Sequence, residues 1–206
     1  MLFVKLEELQ TLRSPSFEQK KAAPQGTVDK FMERIVVISC TNRPDSYTLK
    51  LCRAYLKLVK DLGKEAILLD FRELPLDQMI SENFGKSTPL FTGLVHSYIQ
   101  PHNKFVFVAP EYNGSYPGIL KLFLDIVPPR EWTHKKACLV GVSQGRAGNL
   151  RGMDHLTGVL QYLKMHVFYN KLPVSVVEKV VKDDGSFISE EQAKACAEQV
   201  KGFLSF

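Results

Sequence analysis

Five short runs of branched, aromatic and other apolar side chains, separated by stretches of helical periodicity, constrain this chain more than any other feature. Ile35-Val36-Val37-Ile38 is unbroken by polar residues, a pattern a strand adopts when both of its faces are covered. Ala66 to Leu69, Lys104 to Ala109 and Ala137 to Val142 repeat it, and His166-Val167-Phe168 opens a shorter run. Leu49, Cys52, Leu56 and Val59 recur at helical spacing, with Ser46 as N-cap and Gly63 as terminator. Pro117 suits the first turn of a helix carrying Leu120, Phe123, Leu124 and Val127. Met153, Leu156, Leu160 and Leu163 form the next. Ser189 with Gln192 is a capping box before Ala193, Cys196, Val200 and Phe203. Buried strands alternating with helices predict an α/β sheet with right-handed crossovers. Ligands of such sheets lie beyond the carboxyl ends of the strands, where strand order reverses.

The 206 residues suit one domain. Residues 1–32 differ from the rest: they are polar, contain Ser14-Pro15-Ser16 and Ala23-Pro24-Gln25-Gly26, and lack sustained periodicity. They are expected to form a flexible or peripheral extension to a folded domain at 33–206, with Met32 a candidate start. Lys5, Glu7 and Glu8 break the apolar start, so it does not read as a secretory leader. No apolar run approaches the ~18–20 residues of a membrane span. The net charge of +5 comes from Lys and Arg interleaved with acids. Lys20-Lys21, Lys135-Lys136 and Lys179 with Lys182 read as solvated surface, so neither nucleic acid nor membrane is an expected partner. The excess positive charge favours small anions. Cys40, Cys52, Cys138 and Cys196 lack paired spacing and read as reduced thiols in a cytoplasmic protein. No grouping has metal-ligand spacing, and no metal is expected.

Three loops follow strands at that edge. The first, Ser39 to Thr48, brings four hydroxyl side chains besides tyrosine, with Arg43, to a helix N-terminus. Hydroxyls, guanidinium, amides and helix dipole together suit a phosphate, although an ordinary capped turn has the same composition. It is neither a Walker A loop nor a G-x-G-x-x-G turn. The second, Pro110-Glu111-Tyr112-Asn113-Gly114-Ser115-Tyr116, offers aromatic side chains and a glycine-bracketed backbone to the edge of a planar ring. The third, Gly141 to Asn149, suits a second wall. It also spells Gly141-x-Ser143-x-Gly145, the nucleophile-elbow pattern of a hydrolase, for which Asp154 and His166 follow in the required order. His96, His102, His134, His155 and His166 read as isolated. Trp132 reads either as core or surface, or as a cover over a neighbouring subunit's site.

With these loops in view, residues 34 to about 205 resemble the NADPH-dependent FMN reductase family. The Thr41-Asn42-Arg43-Pro44 to Thr48 loop, PEYNGSYPGILKLFLD from Pro110 to Asp125, and SQGRAGNLRG from Ser143 to Gly152 carry the resemblance. Families of this kind usually place glycine where Cys40 stands. The resemblance implies a flavodoxin-like three-layer sandwich, a five-stranded parallel sheet of order 2-1-3-4-5, with FMN held non-covalently in a homodimer or homotetramer. Thr41, Arg43, Ser46 and Thr48 would hold the phosphate. Pro110, Glu111, Tyr112, Asn113 and Gly114 would line the ring, with Ser143, Gly145, Arg146 and Gly148 on its other side. The implied activity is ping-pong hydride transfer from NADPH or NADH to the flavin and on to a small acceptor such as a quinone, an azo compound or free flavin. The chemistry is the flavin's, so no side chain is assigned a catalytic role. The alternative is an electron carrier without efficient nicotinamide turnover, although carriers of that kind tend to be acidic.

Overall fold

Strand β1 (Ile35–Ser39) lies inside a parallel sheet, flanked by β2 (Ala66–Asp70) and β3 (Lys104–Pro110). The computed structural model describes residues 34–82 and 88–206. The expectations about residues 1–32 and Met32 lie outside the described residues. Beyond β3 come β4 (Lys136–Val142) and β5 (His166–Val167), giving the order 2-1-3-4-5. A sixth strand, β6 (Leu172–Val174), also pairs with β4. Strand order reverses between β1 and β3, which puts the carboxyl ends of those strands at the switch point.

Successive side chains of each strand face opposite ways, and here both faces are covered. Val36, Ile38, Phe105, Phe107 and Leu139 pack under α4 (Gly118–Ile126) and α5 (Leu150–Tyr162), with α2 (Leu76–Glu82) and α3 (Pro89–Leu94) beside them. Ile35, Val37, Val106, Cys138 and Val140 pack under α1 (Tyr47–Asp61) and α6 (Glu190–Ser205). The result is a flavodoxin-like three-layer sandwich. The two-sided burial explains why the strands read as continuous apolar runs.

The structure corrects the sequence reading in four places. The fifth strand is split: β5 pairs with Lys136 and Ala137, and β6 resumes opposite Val140 to Val142. Gln199 fills the break, its buried Nε2 donating to Leu139 O (3.0 Å) and Asn170 O (2.7 Å) while Oε1 accepts from Tyr55 (2.6 Å). Helices α2 and α3 precede β3 where the sequence reading had no element; Thr88 caps α3 ahead of Pro89. Lys135 is not solvated surface: it is buried and its Nζ donates to Ile99 O (2.7 Å) and His102 O (2.6 Å). Burial holds its pKa below the usual lysine range. Nor are all the histidines isolated, since His134 and His166 stack with ring centroids 5.9 Å apart. Trp132, left open between core and cover, is wholly buried among Phe105, Phe107 and Phe123.

Candidate functional site

A cavity of about 250 Å³ opens where the three loops meet at the carboxyl edge of the sheet. Arg43 to Thr48 form one wall, Pro110, Glu111 and Tyr112 a second, and Val142, Ser143 and Gln144 a third, with Val177 beside them.

The first wall is the entrance to α1. Ser46 is extended (φ −74°, ψ 139°) and its Oγ accepts from Leu49 N at 3.3 Å, the bond that ends the loop and starts the helix. Amides at a helix start have no partner within the helix, and no acid occupies the first turn of α1, so its positive pole is unopposed from within. Arg43 is exposed on the rim and Thr48 is buried. Thr41 is placed differently from its neighbours. It is wholly buried behind the wall; its Oγ1 accepts from Arg43 N (3.2 Å) and lies 2.7 Å from Tyr112 Oη. Cys40 turns into the core, its thiol directed at Ile38 O (3.5 Å) and held well above the ordinary cysteine range by burial. Two acids, Asp45 and Glu111, share the cavity lining. Lys50 lies over the Tyr47 ring at 4.4 Å and is paired with Asp183 at 2.7 Å.

The second wall is a small hairpin rather than a flexible loop. Asn113 (φ 51°) and Gly114 (φ 78°) are the central residues of a two-residue turn, closed by Tyr112 N to Ser115 O (2.9 Å) and Ser115 N to Tyr112 O (3.1 Å). Positive φ at both centres is what an Asn-Gly type I′ turn provides. The Tyr112 amide is therefore engaged in the hairpin, and the amides of Asn113 and Gly114 stand outside its two closing bonds. Glu111 N donates to Val142 O (2.8 Å), which ties the hairpin base to the third wall. Asn149, which the sequence reading did not single out, adds a second tie: its buried Nδ2 donates to Ala109 O (2.9 Å) and Pro110 O (3.1 Å).

The third wall settles what the elbow pattern is for. Ser143 Oγ donates to Gly145 O (2.8 Å) and accepts from Gly148 N (2.9 Å), so it staples its own loop. His166 pairs with Lys136 at the start of β4, whereas Ser143 follows its end. His155 Nδ1 is 2.9 Å from Ser115 Oγ instead. Ser143 Oγ is bonded to Gly145 O and Gly148 N and to neither histidine, and the hydrolase reading is discarded. Gly148 (φ 56°) packs against Pro173, with a Cβ there only 2.6 Å from the Pro173 Cβ, while a Cβ on Gly145 would meet open space.

The structure thus brings Arg43, Ser46, Thr48, Pro110, Glu111, Tyr112 and Ser143 to one cavity. Thr41, Asn113, Gly114, Gly145, Arg146 and Gly148 stand behind or beside it. Val177 was missed because it arrives from the segment after β6, where Val177 N donates to Ser143 O (3.1 Å) and Val176 N to Gly145 O (3.1 Å). A short, irregular stretch carries no periodicity from which this could be read. The lining fits a phosphate joined to a flat ring, since it combines hydroxyls, a guanidinium and a helix N-terminus with the flat and apolar surfaces of Pro110, Tyr112, Val142 and Val177.

A family model described as NADPH-dependent FMN reductase matches residues 33–177. The chain is 26% identical over 167 residues to a 2-hydroxy-1,4-benzoquinone reductase of Burkholderia sp, covering 78% of this chain and 88% of that protein. It is 32% identical over 150 residues to an NAD(P)H-dependent FMN reductase of Schizosaccharomyces pombe, covering 67% and 70%. Among solved structures, a flavoenzyme NAD(P)H:(acceptor) oxidoreductase from Paracoccus denitrificans superposes with a TM-score of 0.70 at 25% identity, covering 84% of this chain and 96% of that one.

Proposed function

Because the chain belongs to the NADPH-dependent FMN reductase family, we propose that this cavity holds FMN, with the phosphate at the α1 N-terminus and the ring between the second and third walls. The protein is an FMN-dependent NAD(P)H oxidoreductase acting on small acceptors. The observation that carries the site assignment is the meeting of Arg43, Ser46 and Thr48 with Pro110, Tyr112, Val142 and Val177 in one cavity. FMN, when bound, would supply the redox chemistry, hydride transfer between NADPH or NADH and the acceptor.

The chain's own part is holding and orienting. Arg43 would offset the charge of the phosphate and the hydroxyls of Ser46 and Thr48 would donate to it, aided by the α1 dipole. The amides of Asn113 and Gly114 offer donors to the ring edge, where they favour negative charge. Pro110 and Tyr112 supply a flat contact on one side and the Ser143 to Gly148 loop, including Gly145 and Arg146, borders the other. Thr41 and Gly148 shape the walls from behind. Residues 33–206 form the catalytic unit, and acceptors such as quinones and azo compounds share its one site. Four free, buried cysteines support a reducing, cytoplasmic setting. Assembly into a homodimer or homotetramer, which the family resemblance implies, is part of this reading.

Purified protein mixed with FMN is expected to show a flavin band near ~450 nm that bleaches anaerobically with NADPH or NADH. A protein that stays colourless overturns the reading. The Arg43→Ala variant is expected to weaken FMN binding about tenfold with unchanged thermal unfolding, since a charge-assisted contact is worth roughly 1.5 kcal/mol. Unchanged affinity removes Arg43 from the site.

A further inference from the structure

One hydrogen bond joins the two loops that the FMN reading assigns to different ends of the cofactor: Thr41 Oγ1 to Tyr112 Oη, 2.7 Å. Its direction follows from what surrounds it. Thr41 has no solvent exposure, and its hydroxyl already accepts the Arg43 amide proton at 3.2 Å. An amide can only donate, so that contact does nothing for the hydroxyl's own hydrogen. Among the described residues the remaining partner of this hydroxyl is Tyr112 Oη. Were the phenol to donate to Thr41, the threonine hydrogen would be stranded in a dry site, an arrangement buried polar groups rarely adopt. Were Thr41 to donate, every group is satisfied: the Arg43 amide gives to Thr41, Thr41 gives to Tyr112, and the phenol keeps its proton for something else. Tyr112 is half-buried and lines the cavity.

We propose that Thr41 fixes Tyr112 as a hydrogen-bond donor into the cavity, so that the phenol offers an oxygen of the bound cofactor its proton rather than its lone pair. Thr41 is then a positioning residue that acts through Tyr112, not a phosphate ligand. The chain of donors runs in one direction and each bond polarises the next. The inference rests on the FMN reading, and deepens it by giving Tyr112 a polar as well as a stacking role.

The test is the equilibrium affinity of the apo protein for FMN, read by flavin fluorescence, beside its thermal unfolding. Tyr112→Phe keeps the ring and is expected to weaken FMN about three- to tenfold, the effect of one neutral hydrogen bond. Thr41→Val is expected to weaken it less, about two- to fivefold, and to have no further effect in the Tyr112→Phe background. Thr41→Ser retains the hydroxyl and is expected to restore wild-type affinity. Unchanged affinity in Tyr112→Phe overturns the proposal, because a phenol that donates to Thr41 has no proton for the cavity. So does a Thr41→Val loss that persists in the double variant, or a Thr41→Ser variant that fails to recover. Wild-type protein that does not bind FMN overturns the functional reading itself, before any variant is compared.

Discussion

Gly148 shows how a glycine that the sequence offers as a ligand contact can have a structural reason of its own. In the sequence it stands in a glycine-bracketed loop, which suggests close approach to a ring. In the structure its φ of 56° and the Pro173 ring against it give a different reason for glycine. The same residue donates its amide to Ser143 Oγ, so it holds the third wall in place. Gly148→Ala adds a methyl group 2.6 Å from Pro173 Cβ in a backbone region that L-residues avoid. A loss of about 2–4 kcal/mol is expected in urea unfolding, combining overpacking with left-handed strain. Gly145→Ala, which faces open space, is expected to unfold like the wild type. Equal losses in the two variants would contradict this account. Thr41 teaches a similar lesson. A hydroxyl in a loop before a helix looks like a phosphate ligand in a sequence, and the structure adds a contact that no spacing announces, with Tyr112, 71 residues away.

At the level of elements, the strands that are buried on both faces were legible and the broken edge was not. β1, β3 and β4 are continuous apolar runs because helices cover both sides, and α1 and α6 announce their starts with Ser46 and Ser189. β5 and β6 are two and three residues long, too short to show a period, and their interruption is repaired by a glutamine from α6. Helices α2 and α3 were passed over for the same reason, at seven and six residues. Each loop that lines the cavity was picked out from its residue types, because helix starts and turns need particular side chains. Its ties were not, since main-chain bonds such as Glu111 N to Val142 O leave no mark on composition. Gln199→Leu is expected to cost about 3 kcal/mol or more in chemical denaturation, because it leaves Leu139 O, Asn170 O and the Tyr55 hydroxyl buried without their partner. A cost below about 1 kcal/mol would mean that water takes its place.

On the scale of the whole molecule, the charge of +5 is a field rather than a track. Added salt screens such a field over about 10 Å at 0.1 M. The kcat/KM for NADPH is therefore expected to fall as ionic strength rises, while that for an uncharged quinone stays nearly flat. Equal salt dependence for the two would show that the field has no part in recruitment. The cavity also has a property that belongs to the assembly of its walls. Glu111 to Val142, Val177 to Ser143 and Tyr112 to Ser115 are joined through amides and carbonyls, which most substitutions preserve. Lining side chains that tie no loop, such as Gln144 and Val177, can accordingly be exchanged one at a time without dismantling the crevice, whereas Ser46 and Ser143 cannot. A lineage built on this scaffold is free to drift toward new oxidants while keeping its prosthetic group, so chemical versatility here costs little heritable risk.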